Sequence, residues 1–244
     1  MSKVRLDVLV QKQAGVTRSQ AQGLIRTGKV STADGTLRDK PGQRVDEGLV
    51  VVIAEGPPFV SRGGQKLDAA LEHFSIDVEG KVAIDVGAST GGFTDCLLQR
   101  HASKVYAVDV GYGQLDWKLR QDDRVVVLER TNIRHLGPEA FDERPSFFTA
   151  DCSFISLRLV LPALKPLVEP DAEGVVLIKP QFEAGKEQVG KGGVVRDEAV
   201  HREVVEEVLR FAAQVGFESR GVIRSPLLGP AGNREFLAHL IVQS

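Results

Sequence analysis

Ala83-Ile84-Asp85-Val86-Gly87-Ala88-Ser89-Thr90-Gly91-Gly92-Phe93-Thr94 decides the fold. An apolar run ends in a glycine-rich turn, and helix-compatible residues follow at once. Glycines let a backbone approach a ligand closely, and the helix that follows offers unpaired N–H donors. Three readings compete for this turn. A nicotinamide fingerprint needs glycine where Ser89 stands. Gly87-Ala88-Ser89-Thr90-Gly91 also satisfies the nucleophile elbow of a serine hydrolase, with His201 or His239 as the later histidine, but hydrolase elbows sit deeper in their sheets. The third reading is an S-adenosylmethionine turn. In it Gly87, Ala88, Ser89, Thr90, Gly91 and Gly92 surround the methionine end. Asp109, 22 residues after Gly87 at the end of the next apolar run, takes the ribose hydroxyls. Asn132, Asp151 and Phe154 close the pocket.

Outward from the turn, strand patterns recur at Val82 to Val86, Lys104 to Val108, Val125 to Leu128, Ser146 to Ala150 and Gly174 to Ile178. Helical patterns lie between most of them, beginning with Lys66 to Phe74, where Leu67, Ala70, Leu71 and Phe74 share a face. The spacing predicts an α/β, doubly wound, mostly parallel sheet with sites at the carboxyl ends of its strands. A helix from Asp197 to Val215 and strands at Phe217 to Ile223 and Phe236 to Val242 complete it as an antiparallel pair. Lys66, Asp151, Lys179 and Glu235 fall where they can converge. A lysine at the end of an apolar strand is costly unless paired.

The first 56 residues have another character. A helix over residues 4–12, a second opened by a Ser19/Gln22 capping box and running through Thr27, and short strands around Val30 and Leu49 to Ile53 predict a small α+β unit ending near Glu55. Pro57-Pro58 stops any helix or central strand, so residues 57–62 read as a short stiff linker and 63–244 as the larger domain. Charge divides similarly. Residues 1–66 carry 11 Lys and Arg against 6 Asp and Glu, whereas residues 67–244 carry 20 against 27. A basic head on an acidic body suits an RNA-docking module attached to an enzyme.

Composition narrows the remaining classes. No run of eighteen apolar residues and no secretory leader is visible, which suggests a cytoplasmic protein away from membranes. Cys96 and Cys152 form no CxxC pair and share no metal-ligand spacing with the five histidines, so free thiols and no metal are expected.

Two resemblances sharpen these readings. Arg5-Leu6-Asp7, Thr17-Arg18-Ser19, Gly28-Lys29-Val30 and Lys40-Pro41-Gly42 resemble the RNA-binding domain of ribosomal protein S-four, which implies RNA-backbone contacts for Arg5, Arg18, Lys29 and Lys40. Gly87 to Asp95, Asp151 to Ser156, Lys179 to Glu183 and Asn233-Arg234-Glu235 resemble the TlyA-type rRNA methyltransferases, and this similarity spans essentially the whole chain. That resemblance implies 2'-O-methylation of cytidine in ribosomal RNA or ribosomal subunits with S-adenosylmethionine as cofactor. The family's Lys-Asp-Lys-Glu tetrad maps onto Lys66, Asp151, Lys179 and Glu235, with Lys179 as the base. The family's interdomain segment often carries a tryptophan after a basic residue, where Pro57-Pro58-Phe59-Val60 stands here. Members are often called haemolysins, but no strongly basic amphipathic helix is evident and pore formation is not expected. Gly185 to Gly193 reads as a mobile loop, a lid in the making. A non-catalytic RNA-binding module remains the other reading.

Overall fold

A computed structural model describes residues 2–36, 38–54 and 57–243. The chain divides into two compact units, Met1–Pro58 and Phe59–Ser244. The unit end expected near Glu55 lies outside the described residues.

The first unit comprises β1 (Lys3–Arg5), α1 (Leu6–Ala14), α2 (Arg18–Arg26), β2 (Val30–Thr32), β3 (Arg44–Asp46) and β4 (Val51–Ile53). β1 pairs with β3 and β2 with β4, both antiparallel. Leu6, Leu9 and Val10 sit on one face of α1 and join Ala21, Ile25, Val30 and Val45 in a buried core. Two boundaries differ from the sequence reading. Residues 3–5 are extended, so α1 starts two residues late. Thr17, not Ser19, caps α2: its hydroxyl accepts from the Gln20 N–H at 3.3 Å while the Gln20 side chain accepts from the Thr17 N–H at 2.8 Å. Thr17 wins because its backbone is extended while Arg18 onward is helical, which the cap geometry requires.

The second unit holds α3 (Gly63–Phe74), β5 (Val82–Val86), α4 (Gly92–Gln99), β6 (Lys104–Val108), α5 (Trp117–Arg120), β7 (Val125–Leu128), β8 (Phe147–Ala150), α6 (Leu157–Leu164), β9 (Glu173–Ile178), α7 (Pro180–Glu183), α8 (Glu198–Gln214), β10 (Phe217–Arg224) and β11 (Phe236–Val242). The sheet order is β10-β11-β9-β8-β5-β6-β7. β5 to β9 run parallel, while β11 is antiparallel to both β9 and β10. Leu67, Leu71 and Leu97 pack on one face, and Leu161, Leu164, Val204 and Val208 on the other. β5 pairs with β6 on one side and β8 on the other, so the connections reverse there and open a crevice beyond the strand ends.

Residues 59–62 of the segment expected to link the units belong to the second. Phe59 is buried and lies where a side chain on Gly64 would collide with it, and the Val60 N–H donates to Asp95 Oδ2 at 2.8 Å. An aromatic ring seated against a glycine surface holds residues 59–62 on α3 and α4, and α3 itself begins at Gly63, three residues before the expected Lys66.

Candidate active site

The glycine turn leaves β5 with Gly87 at φ 84° and enters α4 at Gly91 with φ 93°. A Cβ on Gly87 would stand 2.7 Å from the Asp151 carbonyl oxygen, so only glycine lets the turn pass so close to the end of β8. Ser89 itself adopts φ 50°, and its N–H donates to Asp109 Oδ2 at 2.7 Å; the other Asp109 oxygen accepts from the Gly111 N–H at 2.6 Å. That carboxylate is therefore fixed at the crevice wall. Gly91 is the exception among the six turn residues, because its bare face accommodates Leu115 and Leu119 rather than the crevice.

Two hollows share Gly87, Ser89, Asp151 and Ser153 as common wall. One, of about 490 Å³, is lined by Asp109, Gln114, Asn132, Ile133 and Phe154 among others. It suits a nucleoside: an acid for ribose hydroxyls and apolar side chains for a base. The other, of about 340 Å³, holds Lys66, Lys179 and Glu235 with Ala88, Thr90, Gly92 and Arg62. Phe154, expected at the cofactor, is 90% exposed at the rim with φ 64°, and its ring packs on Phe182 at 5.1 Å. Asn132 caps the turn at residues 133–135 through its side-chain oxygen and borders the same hollow.

The four charged residues nominated by sequence do gather. Lys66 Nζ lies 2.6 Å from Glu235 Oε2, with the Glu235 side chain fully sealed. Lys179 Nζ lies 2.6 Å from Asp151 Oδ1 and donates to Ser153 Oγ at 2.9 Å. Pro180 opens α7 immediately after Lys179, so the strand must end there and its lysine is delivered to the crevice. Sequence reading overlooked Ser153 and Gln181; the Gln181 Nε2 donates to Glu235 Oε1 at 3.4 Å, while its own buried oxygen has no partner. Their signal lay inside the quoted motifs, Ser153 one place from Phe154 and Gln181 two from Lys179.

Asp85 was also overlooked. It is fully buried under the turn, where its carboxylate accepts from Thr94 Oγ1 at 2.7 Å and Thr149 Oγ1 at 2.8 Å. Burial nonetheless pushes its pKa up to about 6. The side chain ties α4 to β8, that is, the helix after the glycine turn to the strand that delivers Asp151.

The loop over residues 185–193 is less loose than its composition suggests. Lys186–Gln188 form a short helical turn and Gly190 bridges Val194. The Asn233 side chain donates to Gly193 O at 2.9 Å and accepts from the Val195 N–H at 3.1 Å. A buried amide from a distant segment supplies the order that local sequence lacks.

In the first unit, Arg5 and Arg18 converge on Asp7, whereas Lys40 borders a shallow hollow with Arg26 and Arg38, two cations sequence reading did not nominate. Lys29 stands in the turn between α2 and β2, next to Val30, whose carbonyl accepts from the Arg38 N–H at 2.8 Å. The hydrolase reading loses its support: the Ser89 hydroxyl meets only Gln114 at 3.4 Å, while His201 bonds the Val195 carbonyl and His239 bonds Glu173. Cys96 and Cys152 are free thiols.

A doubly wound sheet with a glycine turn after its first strand, an acid after its second and a lysine–acid cluster beside them defines a methyltransferase dependent on S-adenosylmethionine. Residues 59–241 match the FtsJ-like methyltransferase model, and the chain belongs to that family. It is 50% identical over 245 residues to the 16S/23S rRNA (cytidine-2'-O)-methyltransferase TlyA of Mycobacterium tuberculosis, covering 99% of this chain and 91% of that one. Hemolysin A of Brachyspira hyodysenteriae is 39% identical over 241 residues, covering 98% of this chain and all of the other. A solved structure from Streptococcus thermophilus, named as a hemolysin, is 48% identical with a TM-score of 0.76, covering 100% of this chain and 90% of that one. Among the described residues, no helix is long and apolar enough to cross a membrane.

Proposed function

We propose that this chain methylates the 2'-hydroxyl of a cytidine in ribosomal RNA, within the cytoplasm and on ribosomal subunits, using Lys66, Asp151, Lys179 and Glu235. The observation that carries the reading is Lys179, whose ammonium is held by Asp151 and Ser153 on the wall common to both hollows. The glycine cradle and the Asp109 carboxylate fit S-adenosylmethionine, with Gly87, Ala88, Ser89, Thr90, Gly92, Asn132, Asp151 and Phe154 around it. When bound, it supplies a methyl group already activated on a sulfonium.

The protein's part is then to place one oxygen in line and to accept one proton. Lys179 acts as the neutral amine: its resting proton passes to the Asp151 carboxylate 2.6 Å away, and Nζ then takes the proton of the ribose hydroxyl that replaces Ser153 Oγ as its hydrogen-bond partner. The buried Lys66–Glu235 pair, with Gln181 behind it, fixes the far side of the acceptor hollow. Arg5, Arg18, Lys29 and Lys40 of the first unit grip RNA backbone, as in S-four-type domains. Transfer of a tritiated methyl group to purified ribosomal subunits, followed by mapping of the modified nucleotide, tests the reading. Label at a ribose 2'-oxygen is expected; label only on a base, or none, overturns it.

A further inference from the structure

In the first unit a single carboxylate gathers cations from two separate elements. Asp7, in the first turn of α1, is fully buried. Its oxygens accept from Arg5 Nε at 3.0 Å and Nη2 at 2.9 Å, from Arg18 Nε at 3.2 Å and from Gln22 Nε2 at 2.9 Å. The Arg5 guanidinium, with Gln22 and Arg18 beside it, holds this acid far below the usual carboxylate range, so it is ionised at any working pH.

Both arginines nevertheless face outward, with 45% and 51% of their side-chain surface exposed. Arg5 also borders the turn at Lys40-Pro41-Gly42: a Cβ on Gly42 would stand 3.5 Å from its Nη1, and the Asp7 N–H donates to the Pro41 carbonyl at 3.0 Å. A guanidinium has five donors in a rigid fork, so using one or two on Asp7 leaves the others directed outward. Unlike a loose surface cation, such a group loses little freedom when it meets a phosphate.

We propose that Asp7 is a positioning residue for RNA: it presets the spacing of Arg5 and Arg18 so that both engage the phosphodiester backbone together. This rests on the reading of the first unit as an RNA-docking module. Its distinctive consequence is one of sign. Plain electrostatics says that removing a buried negative charge beside two arginines tightens RNA binding, whereas loss of positioning weakens it.

The test is RNA affinity of the full chain, read by filter binding to ribosomal RNA between about 50 and 300 mM KCl, where each phosphate contact adds to the salt slope. For Asp7→Asn the expected result is roughly tenfold weaker binding near 0.15 M salt, with a slope shallower by about one contact. Unchanged or tighter binding overturns the proposal. Should Asp7→Asn unfold the first unit, seen as loss of its amide protection with the second unit intact, the charge-conserving pair Arg5→Lys with Arg18→Lys decides instead. It keeps both cations but not the guanidinium fork: about fivefold weaker binding supports positioning, and wild-type affinity refutes it. Arg5→Ala with Arg18→Ala separates the two levels. If that variant binds RNA like wild type, the docking reading itself fails; if it weakens binding while Asp7→Asn does not, only the role of Asp7 fails.

Discussion

One buried carboxylate serves two half-exposed arginines in the first unit, whereas two carboxylates serve two nearly sealed lysines in the second. The difference in balance fits each cluster to the role proposed for it. A surplus of cations, ordered but left facing outward, attracts and holds a polyanion. A balanced set, withdrawn from water, lets a proton move between partners without leaving an uncompensated charge, and pairing offsets much of the cost of burying it. On the functions proposed above, the same ion-pair chemistry serves docking where acids are outnumbered and reaction where they are matched.

The strongest way to break the comparison is to remove the lysine assigned to proton transfer. Lys179→Ala should lower methyl transfer by about 10²- to 10⁴-fold, while calorimetry shows S-adenosylmethionine affinity essentially retained. Turnover close to wild type would mean the second cluster is merely structural. Next comes the sealed pair. Glu235→Ala leaves Lys66 buried and alone, so chemical denaturation should show a loss of about 3–5 kcal/mol, whereas Lys66→Met combined with Glu235→Leu recovers most of that stability but no activity. If the double variant is active, balance of charge is irrelevant to the chemistry.

Much of this was legible in the sequence, for identifiable reasons. Lys104–Val108, Val125–Leu128 and Phe236–Val242 carry the bounds expected because each is a mainly apolar run, interrupted only by Lys104 and His239, with polar residues on both sides. The tetrad was found through motif resemblance; periodicity alone left each member an ordinary rim charge. Tertiary partners account for the rest. Phe59 looked like linker because its partner, the bare surface of Gly64, exists only once α3 has formed. Asp7 and Asp85 each interrupt an apolar stretch, and what makes their burial tolerable is set partly at a distance: Arg18 and Gln22 reach Asp7 from α2, and Thr94 and Thr149 reach Asp85 from α4 and β8. The order of the 185–193 loop depends on Asn233, some forty residues away.

Two smaller effects sharpen the picture of the cofactor side. Asp109→Ala removes the ribose acceptor and also releases the Ser89 and Gly111 amides, so the S-adenosylmethionine dissociation constant should rise roughly 10- to 100-fold in a titration, with residual transfer at saturating cofactor. Unaltered affinity would remove Asp109 from the pocket. For Asp85 the sign runs against habit. Its pKa is raised to about 6 by burial, so the folded chain holds this proton more tightly than the unfolded chain does. Stability from this group is full below about pH 4 and is lost as pH rises through 6, after which the cost of about 3 kcal/mol stays constant. Asp85→Asn lacks that loss, so its unfolding free energy minus that of wild type should climb between pH 4 and 6; a flat difference would mean the buried carboxyl does not titrate there.

The smallest expected effect is the most diagnostic of reaction class. Ser89 meets the two criteria a hydrolase elbow would need, a tight turn between strand and helix and a backbone at φ 50°. Yet its hydroxyl has only a long contact to Gln114, and the contribution that matters comes from its backbone N–H, bonded to Asp109 at 2.7 Å. Alanine keeps that N–H and tolerates the left-handed backbone about as well as serine, so Ser89→Ala should change methyl transfer and cofactor affinity by less than about threefold. A serine nucleophile would lose several orders of magnitude on the same change. Glycine at this position is the sharper comparison: it relaxes the strained backbone but frees the turn, so a larger loss in Ser89→Gly than in Ser89→Ala would show that a stiff turn holding Asp109 in place, rather than any chemistry of the hydroxyl, is what this position contributes.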